Sequence, residues 1–203
     1  MKHRDWHVNG DGQYQTCKSV RAWDLLRDNY RLYRFLTELE DILNEVEDQT
    51  SRLPEIQMLV RQLLVNSYWV QSQYSAPCPK TGTSVLLLYD ELGFPLTLQT
   101  ATFAPGTKSN IHNHGTWGVV AVLKGQEKNT FWHRNASREF PDKIEQTEEL
   151  TLLPGDIISF TPDAIHCVEA VGDEPTVTFN LYGETDPKQR FEYNILTHTA
   201  KKF

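Results

Sequence analysis

Apolar residues along the chain change their spacing once, near residue 75. From Val20 to about Glu47 they recur at Trp23, Leu26, Tyr30, Tyr33, Leu36, Leu39, Leu43 and Val46, steps of three or four that predict an amphipathic helix with a charged opposite face. After Gln49 and Thr50 a second helix is predicted, with Ser51 as its cap, Pro54 in its first turn, and Ile56, Leu59, Leu63 and Val70 continuing the stripe. An aromatic stripe of this kind is normally buried against a core. The two prolines and the glycine between Ser75 and Gly82 then forbid regular structure. Beyond them come short runs rich in Val, Leu, Thr and Phe. Turn signals separate these at Glu91 to Gly93, Ala104 to Gly106, Lys124-Gly125, Asn135 to Asp142, Pro154 to Asp156, Pro162-Asp163 and Gly172-Asp173. About eight evenly spaced strands predict a β-sandwich or barrel, a shape that holds small ligands in its mouth or interior. Residues 1–19 show no period and read as a surface arm, with His3 and His7 exposed to solvent. The expected organisation is one domain: an arm over 1–19, a helical segment over 20–75 packed on the barrel, and the barrel over 83–203.

Composition narrows the class. With 203 residues, 39% of them hydrophobic, the chain can bury a substantial core. A net charge of −7, with no basic run, argues against a nucleic-acid partner. Cys17, Cys78 and Cys167 are odd in number and widely spaced, which suggests neither a disulfide framework nor a CxxC metal site. The first ten residues contain no apolar core of a leader, and the longest apolar run, Val85 to Tyr89, is too short for a bilayer. These features lead us to expect a cytoplasmic protein with no membrane partner; they leave self-association open.

The candidate chemistry lies between Gly106 and Gly125, where His112 and His114 stand two residues apart as an apolar run begins. Positions i and i+2 share a strand face, so two imidazoles from one element can serve one divalent metal. His166, after the Pro162-Asp163 turn, is the best candidate for a third ligand. His133 competes for that place but sits near a strand end, and His198 receives no role. Cys167 follows His166 directly, so strand alternation turns it away, into the role of a small core residue.

The order Gly106, His112, His114, Gly125, Pro154-Gly155-Asp156 and His166 resembles the two motifs of the cupin superfamily over roughly residues 83–183. The resemblance implies a mainly β fold, a double-stranded β-helix or jelly-roll barrel, here preceded by two helices. The glutamate that cupins place four or five residues after the second histidine is replaced by Gly118 or Val119. In that loss the chain is similar to the cysteine dioxygenase group of thiol dioxygenases, which bind iron through three histidines. The stretch TFNLYGETD, with Tyr182 sixteen residues beyond His166, resembles that group's tyrosine-bearing strand.

What the resemblance implies is an Fe(II)-dependent dioxygenase that joins O2 to a small thiol to give a sulfinic acid. His112, His114 and His166 would hold the metal, Tyr182 would be catalytic, and Asn180 and Arg190 would bind substrate. Imidazole suits Zn, Ni and Cu as well as Fe, so the ligand types do not choose among them. Three departures bear on the substrate. Asn180 stands where the family has a histidine, making the relay Thr178, Asn180, Tyr182. No cysteine follows the paired histidines to cross-link the tyrosine. Leu86 falls where an animal-type member carries the residue that anchors a carboxylate, leaving Arg190 as a possible anchor, with a solvated turn charge as its alternative. Two other readings stay open: a cupin dioxygenase acting on a non-thiol small molecule, and a non-enzymatic, metal-stabilised ligand-binding barrel.

Overall fold

The computed structural model describes residues 4–18, 25–26, 30–94 and 96–203. Its first elements are β1 (Asp5–Val8), β2 (Tyr14–Cys17), α1 (Leu32–Glu45), α2 (Gln49–Asn66) and α3 (Tyr68–Ser72). There follow β3 (Thr83–Asp90), β4 (Thr97–Phe103), β5 (Ile111–His112), β6 (Gly118–Lys124), β7 (Gln126–Arg134) and β8 (Ile144–Leu152). The chain closes with β9 (Ile157–Phe160), β10 (Ile165–Val171), β11 (Thr176–Tyr182), β12 (Phe191–Asn194) and β13 (Thr199–Lys202). Two sheets face each other, in the orders β2-β1-β9-β6-β11-β4-β3 and β13-β12-β5-β10-β7-β8. The fold is mainly β, a jelly roll carrying a few helices, as the strand pattern predicts.

Period-two alternation decides what each sheet face touches. On β6, Val120 and Val122 point between the sheets to join Phe131, Leu150, Leu152, Ile158 and Phe160. Val119 and Ala121 point the other way, with Phe179 and Leu181 of β11, into a second cluster shared with the helices. Phe35 and Leu39 of α1 and Leu53, Ile56, Val60 and Leu63 of α2 complete it, all fully buried. Each such side chain contributes about 1.5–3 kcal/mol relative to exposure. The helices therefore cover the outer wall of the seven-stranded sheet and leave the space between the sheets to other residues.

The elements differ from the sequence-based expectation in the strand count, eleven from β3 to β13 among the described residues rather than about eight, and in three places before residue 75. Helix α1 runs Leu32–Glu45, and its buried face carries Phe35 and Leu39, whereas Tyr33 is 69% exposed. The expected start at Val20 and Trp23 falls outside the described residues. Helix α2 is capped by Asp48, whose carboxylate accepts from Ser51 N and Ser51 Oγ at 2.9 Å each. Ser51 is thus inside the helix, and Pro54 lies in the second turn with its ring exposed. The helix also ends before Val70, at Ser67, whose hydroxyl caps α3. Finally, the stretch read as an aperiodic arm holds the β1–β2 hairpin. β1 pairs in parallel with β9, bringing Trp6 and Val8 into the core, and His7 Nδ1 lies 2.9 Å from Ser159 Oγ rather than in open solvent. His3 lies outside the described residues.

Candidate metal centre

His112 ends the two-residue strand β5 and stands directly opposite His166 of β10, so the two rings share one sheet face at a 4.8 Å centroid separation. His114 lies just beyond β5, 5.0 Å from each of the others by ring centroid. Asn113, between the two histidines, faces away and holds the segment in place. Its Nδ2 donates to the carbonyls of Pro162 (3.0 Å) and Gln189 (2.7 Å), and its Oδ1 accepts from Phe191 N (2.9 Å). Gly115 then turns the chain at φ +64°, where a Cβ would strike the Asp186 carbonyl.

His114 presents its Nε2 to both of the other rings, and the three candidate donor atoms lie within 4.8 Å of one another. His114 Nε2 lies 3.2 Å from His112 Nε2 and 3.1 Å from His166 Nε2. Donors 2.0–2.1 Å from one metal, at tetrahedral to octahedral angles, are about 2.9–3.4 Å apart. His112 Nδ1 lies 2.9 Å from the Asn110 carbonyl and His166 Nδ1 2.9 Å from Asn129 Oδ1. An acceptor at Nδ1 places the ring hydrogen there and leaves Nε2 with a bare lone pair. Burial lowers the basicity of all three, and holds His114 and His166 well below the ordinary histidine range. Three buried imidazoles, two of them with Nε2 freed by an acceptor at Nδ1, are a donor set that can hold a metal, and no Asp, Glu or Cys joins the group among the described residues.

On one side the trio rests on Phe160, whose ring centroid is 4.4 Å from that of His166. On the other it opens into a cavity of about 280 Å³ lined by Thr97, Gln99, Thr116, Tyr182, Thr185 and Arg190. The Tyr182 ring meets His114 edge to face at 4.9 Å. Its hydroxyl donates to Asn180 Oδ1 at 3.4 Å, and Asn180 Nδ2 donates to Thr178 Oγ1 at 3.0 Å. Burial, and then the nearby Glu127 carboxyl, push the Tyr182 phenol upward. The Arg190 guanidinium stacks on Phe203 at 4.1 Å, and its buried Nε has no partner among the described residues.

No family model matches the chain. Structural neighbours include cupin superfamily proteins and oxalate oxidases. One is a cupin superfamily protein from Desulfitobacterium hafniense, 14% identical over 50% of this chain and 77% of that one, with a TM-score of 0.40. Another is an oxalate oxidase in complex with glycolate, 17% identical over 71% of this chain and 64% of that one, TM-score 0.43. A third is the cupin domain of an XRE-family transcriptional regulator from Enterobacter cloacae, 18% identical over 52% and 99%, TM-score 0.38.

Several pocket residues carry no sequence signal. Gln99 is the amide facing the trio from a neighbouring strand, and the position compared with a family anchor, Leu86, lies on β3 outside the cavity. Leu86 pairs with Thr100 on the side that turns away from Gln99. Gly118 faces inward, and a Cβ there would come within 2.9 Å of the Tyr182 ring and 3.4 Å of His114 Nδ1. His133 lies instead in a separate cleft with Asp11, Thr147 and Asp163. His198 meets the Phe140 ring at a tilt, and Cys167 is buried with Trp132, Ile144, Ile165 and Tyr193. Among the described residues no helix is long and apolar enough to cross a membrane.

Proposed function

We propose that the chain is a metal-dependent dioxygenase whose substrates are a small thiol and O2, with Fe(II) held by His112, His114 and His166. The observation that supports it is the all-imidazole donor set, together with an inward-facing glycine, Gly118, where a carboxylate ligand would otherwise stand. Three neutral ligands leave a divalent ion its full charge, which favours an anionic sulfur ligand from a thiol that otherwise titrates near ~8.5. Ferrous iron supplies the redox chemistry that transfers both oxygen atoms of O2 to sulfur, giving a sulfinate.

The chain's own residues supply position and polarity. The Tyr182 phenol stays protonated because it is buried; its one hydrogen goes to Asn180 Oδ1, which leaves the phenol oxygen to accept a hydrogen bond from a reacting group. Asn180 orients that phenol through its carbonyl oxygen. An amide takes up no proton, so the Thr178, Asn180, Tyr182 chain steers the hydroxyl without relaying a proton away. Arg190 offers its unpartnered Nε and its charge to a substrate carboxylate, and Gln99, Thr97, Thr116 and Thr185 provide neutral polar partners. Phe160 closes the inner side against water.

Metal analysis of the purified protein, followed by oxygen uptake with a panel of small thiols, tests the proposal. One iron per chain with thiol-dependent uptake and a sulfinate product is expected. Uptake with non-thiols alone moves the assignment to another dioxygenase reaction, and metal without any uptake leaves a binding module. His114→Ala should lose metal and activity together while the barrel stays folded; metal retained in that variant removes His114 from the ligand set.

A further inference from the structure

Inside the barrel, next to the trio but outside the cavity, lies an acid that the proposed reaction does not use. Glu127 of β7 is 3% exposed, and no lysine, arginine or histidine forms an ion pair with it among the described residues. Its Oε1 accepts from Asn129 Nδ2 at 2.8 Å, and Asn129 is fully buried. The other end of that amide, Oδ1, meets His166 Nδ1 at 2.9 Å. Residues 127 and 129 share a face of β7 by strand alternation, and β7 pairs with β10 along its length, so the three side chains form one line inside the barrel.

We propose that Glu127 is a positioning residue for the metal: acting through Asn129, it fixes which nitrogen of His166 carries the hydrogen and so keeps Nε2 free to ligate. This rests on the reading that the trio holds a metal. The argument is one of hydrogen-bond polarity. An amide has two different ends, and a buried carboxylate accepts only from the NH2 end. Asn129 must therefore turn its oxygen toward His166, and an oxygen there demands a hydrogen on Nδ1. With the amide reversed, its NH2 would face Nδ1, the ring hydrogen would move to Nε2, and it would point at His114 Nε2. A protonated Glu127 tolerates the reversed amide, because a carboxylic acid donates to an amide oxygen. Burial lifts this carboxyl to about 7, with Asn129's hydrogen bond opposing, so ionisation and metal capture support one another near neutral pH.

Glu127→Gln tests this with little change of volume. A glutamine presents an oxygen or an NH2 group with equal ease, so both orientations of Asn129 become available. Two measurements are made at about pH 8.5, where the Glu127 carboxyl is ionised: the side-chain nitrogen spectrum of His166 in the metal-free protein, and the Kd for Co2+ and Zn2+ by competition with a chelator. Expected are a mixed tautomer at His166 and metal binding weaker by about 10–100-fold, with the fold intact. Glu127→Asp, which retains the charge, should recover part of the affinity. An unchanged tautomer, or a changed tautomer with unaltered affinity, overturns the proposal. Wild-type protein that takes up no divalent metal overturns it together with the proposed function. Wild-type protein that binds metal but consumes no O2 with thiols removes the thiol reaction and leaves this proposal standing.

Discussion

At the scale of single residues, the site depends on two positions whose roles follow from volume and burial. Gly118 leaves room for the Tyr182 ring, and a methyl group there would overlap two ring carbons at 2.9 Å. Gly118→Ala should displace the phenol, slow the proposed turnover by about tenfold and cost about 1–3 kcal/mol of stability, with metal content unchanged. Turnover at the wild-type rate would show that the phenol has no part in the reaction. Glu127 gives a pH signature. Its folded-state value is raised to about 7, so the folded protein holds this proton more tightly than the unfolded chain. The resulting stabilisation is present below the unfolded carboxylate range and lost as pH rises toward 7. In chelator-treated protein, the stability of wild type relative to Glu127→Gln should fall by about 3 kcal/mol between pH 4.5 and 8. Denaturant melts at several pH values measure it, and a difference that does not vary with pH would contradict the assignment.

At the scale of elements, the histidine pair is held by what lies between its members. β5 has two residues, and Asn113 supplies three side-chain hydrogen bonds that tie this short segment to Pro162, Gln189 and Phe191. Asn113→Ala should destabilise the protein by about 2–4 kcal/mol and weaken metal binding, since buried carbonyls lose their donors; melts and metal titration check both. Elements also explain what could be read from the sequence. His112, His114 and His166 were legible because spacing and turn residues mark them locally. Gln99, Asn129 and Glu127 were not, because an amide or acid on an alternating strand is defined by which strand lies beside it. The Leu86 comparison failed for the same reason: the strand bordering the cavity is β4, one hairpin further along. β1 was missed because four residues give too short an alternation, and its partner β9 lies about 150 residues away.

At the scale of the molecule, stability and chemistry occupy different faces of one sheet. Phe179 and Leu181 face the helices, while Thr178, Asn180 and Tyr182, on the same strand, line the interior. Leu63→Ala in α2 should therefore cost about 2–5 kcal/mol and leave metal affinity and turnover per folded molecule unaltered. A change in metal affinity would show that the wall and the site are coupled. The mainly β class and the change from helical to strand spacing near residue 75 were legible because burial imposes a period on the chain. The helix limits were not, because Asp48 and Ser67 set them through side-chain hydrogen bonds at the ends.

The brevity of β5 has a practical consequence. A strand of two residues has few backbone bonds of its own, and a cation shared by His112 and His166 would act as a rivet between it and β10. Stripping the metal would then loosen this stretch first, and nicking by a protease between Gly106 and Gly115 would report metal loading in a crude lysate, with no substrate required.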